Sequence, residues 1–360
     1  MKLSIPPAPS DAGKDGGPRL PILLVGNPTS RSGKAAERIS EARHLLDELG
    51  LDHEFRSTLP DRGTVGLVAR AVAEEGFKTI IYLGGDGTFS EVAKGIYASG
   101  RAGEVLLGML PSGTANDQGK SFGISSARKD LRRNVEIIKN GYTTLLDIGE
   151  VTSFTDSGEV ANRDLFFDSL GWGLSAAILA FRNRELTAVK KMPIWRDMYR
   201  DQVVYVRAAV QQLAVNLLTR DWFTAEIRVD GETRTLDRMT DVVISNTALY
   251  AGEWIIDPES QHDDGLFEVA LFQGATDWTS KLIVHHKKVP LTEEMLNRFG
   301  VSHTPHLRGA EIEVQFFRPN KDMRLPAQLD GDEFPPADHF LVKVLRRRLR
   351  IIIPERYHWI

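Results

Sequence analysis

The chain has no cysteine among its 360 residues, so disulfides, thiolate metal sites and cysteine nucleophiles are excluded. That composition fits a reducing compartment, and a cytoplasmic location is expected. An apolar run long enough to span a bilayer is also missing. Leu165 to Phe181 comes nearest, but it carries Asp168 and glycine and serine breaks. Nor is there a basic excess: the net charge is −4, which argues against a nucleic-acid partner. Residues 1–19 are proline, glycine, serine and charge with no apolar core for a signal peptide, and a disordered tail is expected there.

What is present is a globular composition, 42% hydrophobic and 26% charged, on a chain long enough for two domains. From Leu20 onward, apolar strand runs (Pro21 to Val25, Asp52 to Ser57, Thr79 to Leu83, Glu104 to Leu110) alternate with helical patterns. The helices are expected at Ala35 to Leu49, Val65 to Glu75, Ser90 to Ala98 and Arg128 to Asn140. This alternation predicts an α/β domain with a parallel sheet over residues 20–145. Past Gly141 the segments turn short and β-rich, bounded by Gly, Asp or Pro, and predict a mainly antiparallel β-sandwich domain over 146–345. One helical insertion interrupts it, with Trp195, Tyr199, Val203, Val206, Val210, Leu213 and Leu217 forming an apolar stripe. Residues 346–360 are expected to pack back on the first domain.

The most informative run is Gly84-Gly85-Asp86-Gly87-Thr88, directly after an apolar strand and ahead of a helix. Glycines let backbone approach a bulky anion, and a helix start adds unpaired N–H groups and a favourable dipole for phosphate. An aspartate there would repel phosphate unless it works with a metal or takes a proton from a hydroxyl being phosphorylated. Asn27 to Ser32 and Ser112 to Asn116 also follow strands and carry small hydroxylated residues. Ligands of open α/β sheets bind at that edge, so three loops in step indicate a phosphate site. Lys34 follows Gly33, but the spacing from Gly26 is too long for a Walker A loop, and no Rossmann fingerprint follows a strand.

Taken together, Asn27-Pro28-Thr29-Ser30, the Gly-Gly-Asp-Gly-Thr run followed by Glu91, and Pro111-Ser112-Gly113-Thr114-Ala115-Asn116-Asp117 resemble the nucleotide-binding motifs of diacylglycerol-kinase and sphingosine-kinase type lipid kinases. NAD kinases and phosphofructokinases share the Gly-Gly-Asp-Gly element; the third motif is more particular to the lipid kinases. Later, Asp257-Pro258, Asp263-Asp264-Gly265-Leu266-Phe267 and Leu329-Asp330-Gly331 resemble further landmarks of the family, in order, to about Pro354. The resemblance implies an ATP- and Mg²⁺-dependent lipid kinase, its nucleotide-binding α/β domain followed by a β-sandwich, with the active site in the cleft between them. A kinase of a soluble acceptor and a non-catalytic nucleotide- or lipid-binding protein are the alternatives.

By the same resemblance, Asn27, Pro28, Thr29, Ser30, Arg31, Thr58, Gly84, Gly85, Asp86, Gly87, Thr88, Phe89, Ser90, Gly113 and Thr114 line the ATP site. Asp86 acts near the transferred phosphate, and a metal-linked role is preferred because a bare carboxylate repels triphosphate. Asp264, with backbone carbonyls at Gln261 and Leu266, matches a magnesium site. The family's proton acceptor is the glutamate of an Asp-Gly-Glu motif, where this chain reads Asp330-Gly331-Asp332-Glu333. Without a gap Asp332 replaces it, about one carbon–carbon bond short; with a one-residue insertion Glu333 does; a third reading makes Asp330 the base. Asp332 is preferred, with Asp330 positioning it.

A lipid acceptor calls for contact with a membrane surface. Segment 182–220 carries eight Lys or Arg against three acidic residues beside its apolar stripe, as a helix lying on anionic lipid would. Peripheral membrane association is therefore expected. Arg346-Arg347-Arg348 reads as the basic part of a strand. His285-His286-Lys287-Lys288 lacks metal-ligand spacing and is read as surface. The acceptor lipid is not legible, and the oligomeric state stays open, a homodimer included.

Overall fold

The computed structural model describes residues 13–14, 16–30, 34–113, 116–177, 179–180, 222–247, 249–250, 254–255, 260–273, 306–318 and 324–357. The stripe of segment 182–220, Asp257-Pro258, His285 to Lys288, and Arg31, Ser32, Gly33, Thr114 and Ala115 lie outside the described residues. The chain divides into two units. One comprises Met1–Gly149, Asn246–Leu266 and Val344–Ile360; the other comprises Glu150–Ser245 and Phe267–Lys343. The return of Asn246–Leu266 to the first unit has no counterpart in the sequence reading, which ran the second domain from 146 to 345.

In the first unit, β1 (Ile22–Gly26), α1 (Lys34–Glu48), β2 (His53–Ser57), α2 (Gly63–Ala73), β3 (Thr79–Gly84), α3 (Asp86–Ala98), β4 (Leu106–Pro111), α4 (Asp117–Ser121) and α5 (Leu131–Asn140) follow in order. The sheet runs β2-β1-β3-β4, parallel throughout. The apolar runs of β1, β3 and β4 are buried on both faces, as parallel strands covered by helices must be. Edge strand β2 alone is half-exposed. Helix α3 seats against α2 at Gly95, where a Cβ would lie 2.6 Å from that of Val68.

Two local features depart from expectation. Helix α3 starts at Asp86 rather than Ser90, because Gly85 is an extended N-cap and an acidic first turn suits the helix dipole. The five-residue α4 has no counterpart among the expected helices, being too short to carry an apolar period. In the stretch expected as a tail, Gly13 and Lys14 pair with Thr143 and Tyr142 on β5 (Tyr142–Phe154), and the Arg19 guanidinium donates to the Glu104 carbonyl at 3.1 Å.

The second unit is mainly antiparallel. It contains β6 (Val160–Phe166), β7 (Ser169–Gly173), β8 (Phe223–Val229), β9 (Glu232–Ser245), β10 (Phe267–Gln273), β11 (Leu307–Gly309), β12 (Glu311–Phe317), β13 (Ala327–Leu329), β14 (Asp332–Phe334) and the first part of β15 (His339–Ile353). Hydrogen-bonded neighbours run β14-β13-β7-β9-β8-β12-β15, and β10 pairs with β9 and β11. Strand β12 alternates exposed and buried positions, the mark of a sheet with one face on a core. That core includes Trp172 against Phe340 (ring centroids 4.9 Å) and Phe223 edge-on to Phe316 (5.3 Å). The later part of β15 belongs to the first unit, where Arg350 and Ile351 lie parallel to Leu106 and Leu107 of β4.

Candidate active site

The first unit's strands end level. Gly26 is in register with Ser57 and Leu83, and Gly84 with Pro111, so the loops after β1, β2, β3 and β4 leave one edge of the sheet together. The chain adds β2 to one side of β1 and β3 then β4 to the other. That reversal between β1 and β3 is where open α/β sheets hold ligands.

After β1, the Asn27 Oδ1 accepts the Thr29 N–H (3.0 Å) and hydroxyl (2.8 Å), and the Asn27 carbonyl accepts the Ser30 hydroxyl at 3.2 Å. Pro28 sits inside this self-bonded turn. Thr58 donates its N–H to the Gly26 carbonyl at 3.0 Å, which places it beside the same strand end.

The glycines after β3 serve close packing, since none of Gly84, Gly85 and Gly87 adopts a positive φ. A Cβ on Gly84 would collide with Thr88, and one on Gly113 would lie 2.5 Å from the Gly85 Cα. The second and third loops therefore meet backbone to backbone. Phe89 and Ser90, expected at the nucleotide, have buried side chains, and Phe89 packs edge-on to Tyr82 at 5.5 Å.

Asp86 joins these loops. Its Oδ2 accepts the Asn116 N–H at 2.8 Å, and the N–H groups of Asp117 and Gln118 also bond to it. Burial pushes its carboxyl above the usual range, and the amides oppose that shift. Asn116 holds a left-handed conformation (φ 55°), and its Oδ1 accepts the Gly113 N–H at 2.7 Å. From the other side, buried Arg38 on α1 donates to the Pro111 carbonyl at 3.0 Å. The amides at the start of α4 engage the Asp86 carboxylate, for which the sequence prefers a metal-linked role.

A second cluster in the same unit surrounds Asp147 on β5, a residue the sequence reading did not single out. Its Oδ1 accepts the Arg347 N–H (2.5 Å), its Oδ2 the Gly265 N–H (2.7 Å), and its N–H donates to the His262 carbonyl at 2.8 Å. Burial raises its carboxyl to about 6, with the two amides opposing and the charges of Asp263 and Asp264 adding. Arg347 reaches Asp263 Oδ2 at 3.1 Å. Asp264 Oδ1 accepts the Leu266 N–H at 2.9 Å, and Gln261 is exposed. Phe122, just past α4, meets His262 edge-on at 5.0 Å and so links this segment to the end of α4.

Among the described residues no three carboxylate or imidazole groups converge as a metal cage. Asp264 offers one carboxylate in this segment, and Mg²⁺ binds few protein oxygens and keeps several waters.

In the second unit, Asp330 (φ 49°) and Gly331 (φ 80°) form the two-residue turn of the β13–β14 hairpin, the conformation that Asp-Gly favours. The Asp330 carboxylate accepts the N–H groups of Phe167 (3.1 Å), Asp168 (2.8 Å) and Ser169 (3.3 Å). A carboxylate so engaged is suited to positioning. Asp332 and Glu333 are exposed; Asp332 lies opposite Leu329 and Glu333 opposite Gln328, so the two face opposite sides of the ladder.

Residues 21–151 match the model of the diacylglycerol kinase catalytic domain. The diacylglycerol kinase of Mycobacterium tuberculosis is 24% identical over 271 residues, covering 73% of this chain and 75% of that protein. A diacylglycerol kinase structure from Bacillus anthracis superposes with a TM-score of 0.62 at 15% identity, over 93% of this chain and 97% of that one. Yeast NADH kinase follows at a TM-score of 0.50 and 10% identity, covering 96% and 86%. These two likenesses establish a shared fold, an α/β domain joined to a mainly antiparallel one. The catalytic-domain match over residues 21–151 and the curated relative support a likeness to the diacylglycerol-kinase-like lipid kinases.

Proposed function

We propose that this protein is a lipid kinase that transfers the γ-phosphoryl group of ATP to the hydroxyl of diacylglycerol or a related lipid. The observation that supports it most is the meeting of Gly85 and Gly113 at the level strand ends, with Asp86 tying one glycine loop to the next. Asn27 to Arg31, Thr58, Gly84 to Ser90, Gly113 and Thr114 are assigned to the nucleotide. Helix α3 begins among them at Asp86, and the N–H groups of a helix's first turn suit phosphate oxygens.

In the reaction the lipid oxygen bonds to the γ-phosphorus, the bond to the bridging oxygen breaks, and ADP leaves with that electron pair. The hydroxyl proton passes to a carboxylate, assigned to Asp332, with Asp330 fixing the turn. Such a base contributes about 10²–10⁴-fold, and orientation and charge neutralisation supply most of the rest. Asp264 with the Gln261 and Leu266 carbonyls would hold Mg²⁺, whose charge would offset that of phosphate. Among the described residues no helix is long and apolar enough to cross a membrane, and we assign the acceptor to a membrane surface reached peripherally.

The test is a panel. Purified protein with Mg²⁺ and γ-labelled ATP is offered diacylglycerol, sphingoid base and ceramide in mixed micelles, and NAD in solution. Labelled phosphatidate is expected. Label in NAD alone, or in no acceptor, refutes the proposal.

A further inference from the structure

The β13–β14 hairpin is gripped by a side chain to which the scheme above gives no part. Gln328 is 3% exposed. Its Oε1 accepts the Gly331 N–H at 2.9 Å, and its Nε2 lies 3.4 Å from the Ser169 hydroxyl as donor. Its cross-strand partner on β7 is Gly171, where a Cβ would stand 3.1 Å from that same Nε2, so the glycine makes room for the amide.

The turn is thus fastened twice to one stretch of β7. Ser169 donates its N–H to Asp330, its hydroxyl oxygen accepts from Gln328 Nε2, and its carbonyl accepts the Asp330 N–H at 2.8 Å. Asp330 secures the first turn residue and Gln328 the second. Gly331, with both torsions free to vary, is the residue whose φ of 80° aims the chain into Asp332.

We propose that Gln328 is a positioning residue for the carboxylate that takes the proton: it sets the direction of Asp332 through the Gly331 amide. This rests on the reading of Asp332 as base. A carboxylate one bond shorter than glutamate has less reach to compensate for a loose turn, and a displacement near 1 Å costs on the order of 10²-fold in rate. Buried amides that lock a short hairpin are one means of holding a side chain to that tolerance.

The experiment replaces Gln328 by Met, which keeps the length and removes the acceptor, and Ser169 by Ala, which removes the Nε2 partner and the hydroxyl's bond to Asp168 but leaves the Gly331 contact in place. In the full chain Gln328→Met is expected to lower kcat tenfold or more with KM for ATP within twofold. Ser169→Ala stays within threefold in kcat. Hydrogen exchange over residues 328–334 is expected to quicken in Gln328→Met and to stay unchanged in the first unit. A kcat within twofold of the parent overturns the proposal. So does a joint change of kcat and KM that tracks a lowered Tm, which marks a merely structural role. If the parent phosphorylates no lipid, the proposed function fails by itself; unchanged exchange at residues 328–334 then overturns the clamp independently.

Discussion

The carboxylate of Asp86 accepts the backbone N–H of Asn116 at 2.8 Å, across thirty positions of sequence. One side chain therefore sets the spacing of two glycine-rich loops. Asp86→Ala would leave the amides of residues 116–118 without their acceptor, at about 1–3 kcal/mol. ATP affinity is expected to fall tenfold or more, with Asp86→Asn intermediate; titration calorimetry measures both.

The same residue carries a pH signature. Its carboxyl is raised in the folded chain above the ordinary 3.8, mainly by burial. The folded state then binds that proton more tightly than the unfolded state. The stability this contributes is present below 3.8 and is lost as pH rises through the raised value. An Asp86→Asn variant lacks the titration. Denaturant unfolding across this range should show the variant gaining on the parent as pH rises, apart from any constant offset.

Glycine substitutions separate the close approach from simple flexibility. A Cβ on Gly113 would stand 2.5 Å from the Gly85 Cα, whereas one on Gly87 would meet nothing within 4 Å. Gly113→Ala should therefore cost roughly 1–3 kcal/mol of stability. Gly87→Ala, inside α3, should gain about 0.5–1 kcal/mol. Thermal unfolding of the two variants gives the comparison.

The hairpin carboxylates have distinct expected phenotypes. Asp332→Asn should abolish lipid phosphorylation while ATP binding persists. Glu333→Gln, on the opposite side of the ladder, should keep kcat within about threefold. Asp330→Ala should lower Tm as well as kcat, because three amides lose their acceptor. Turnover and melting curves for the three variants check the assignment.

Much of the fold was legible because β1, β3 and β4 are unbroken apolar runs followed by small polar loops, a pattern that parallel strands produce. The loops at 27–30, 84–90 and 112–116 were found the same way. What Asp86 does was not legible: its partners are backbone amides, which leave no mark on residue identity. Asp147 was missed for a similar reason, since Arg347 and Gly265 approach it through their N–H groups. The return of Asn246–Leu266 to the first unit depends on the tertiary path, and no local pattern announces it. Hairpin Asp330-Gly331, by contrast, was readable as a landmark, though the clamp on it from Gln328 was not.

The central claim is that ATP phosphates lie at the level strand ends. A crystal structure with Mg²⁺ and a non-hydrolysable ATP analogue tests it most directly. The account predicts phosphate oxygens against the backbone of Gly84 to Thr88 and Gly113, beside Asn27 to Ser30. Nucleotide bound away from all three loops would contradict it.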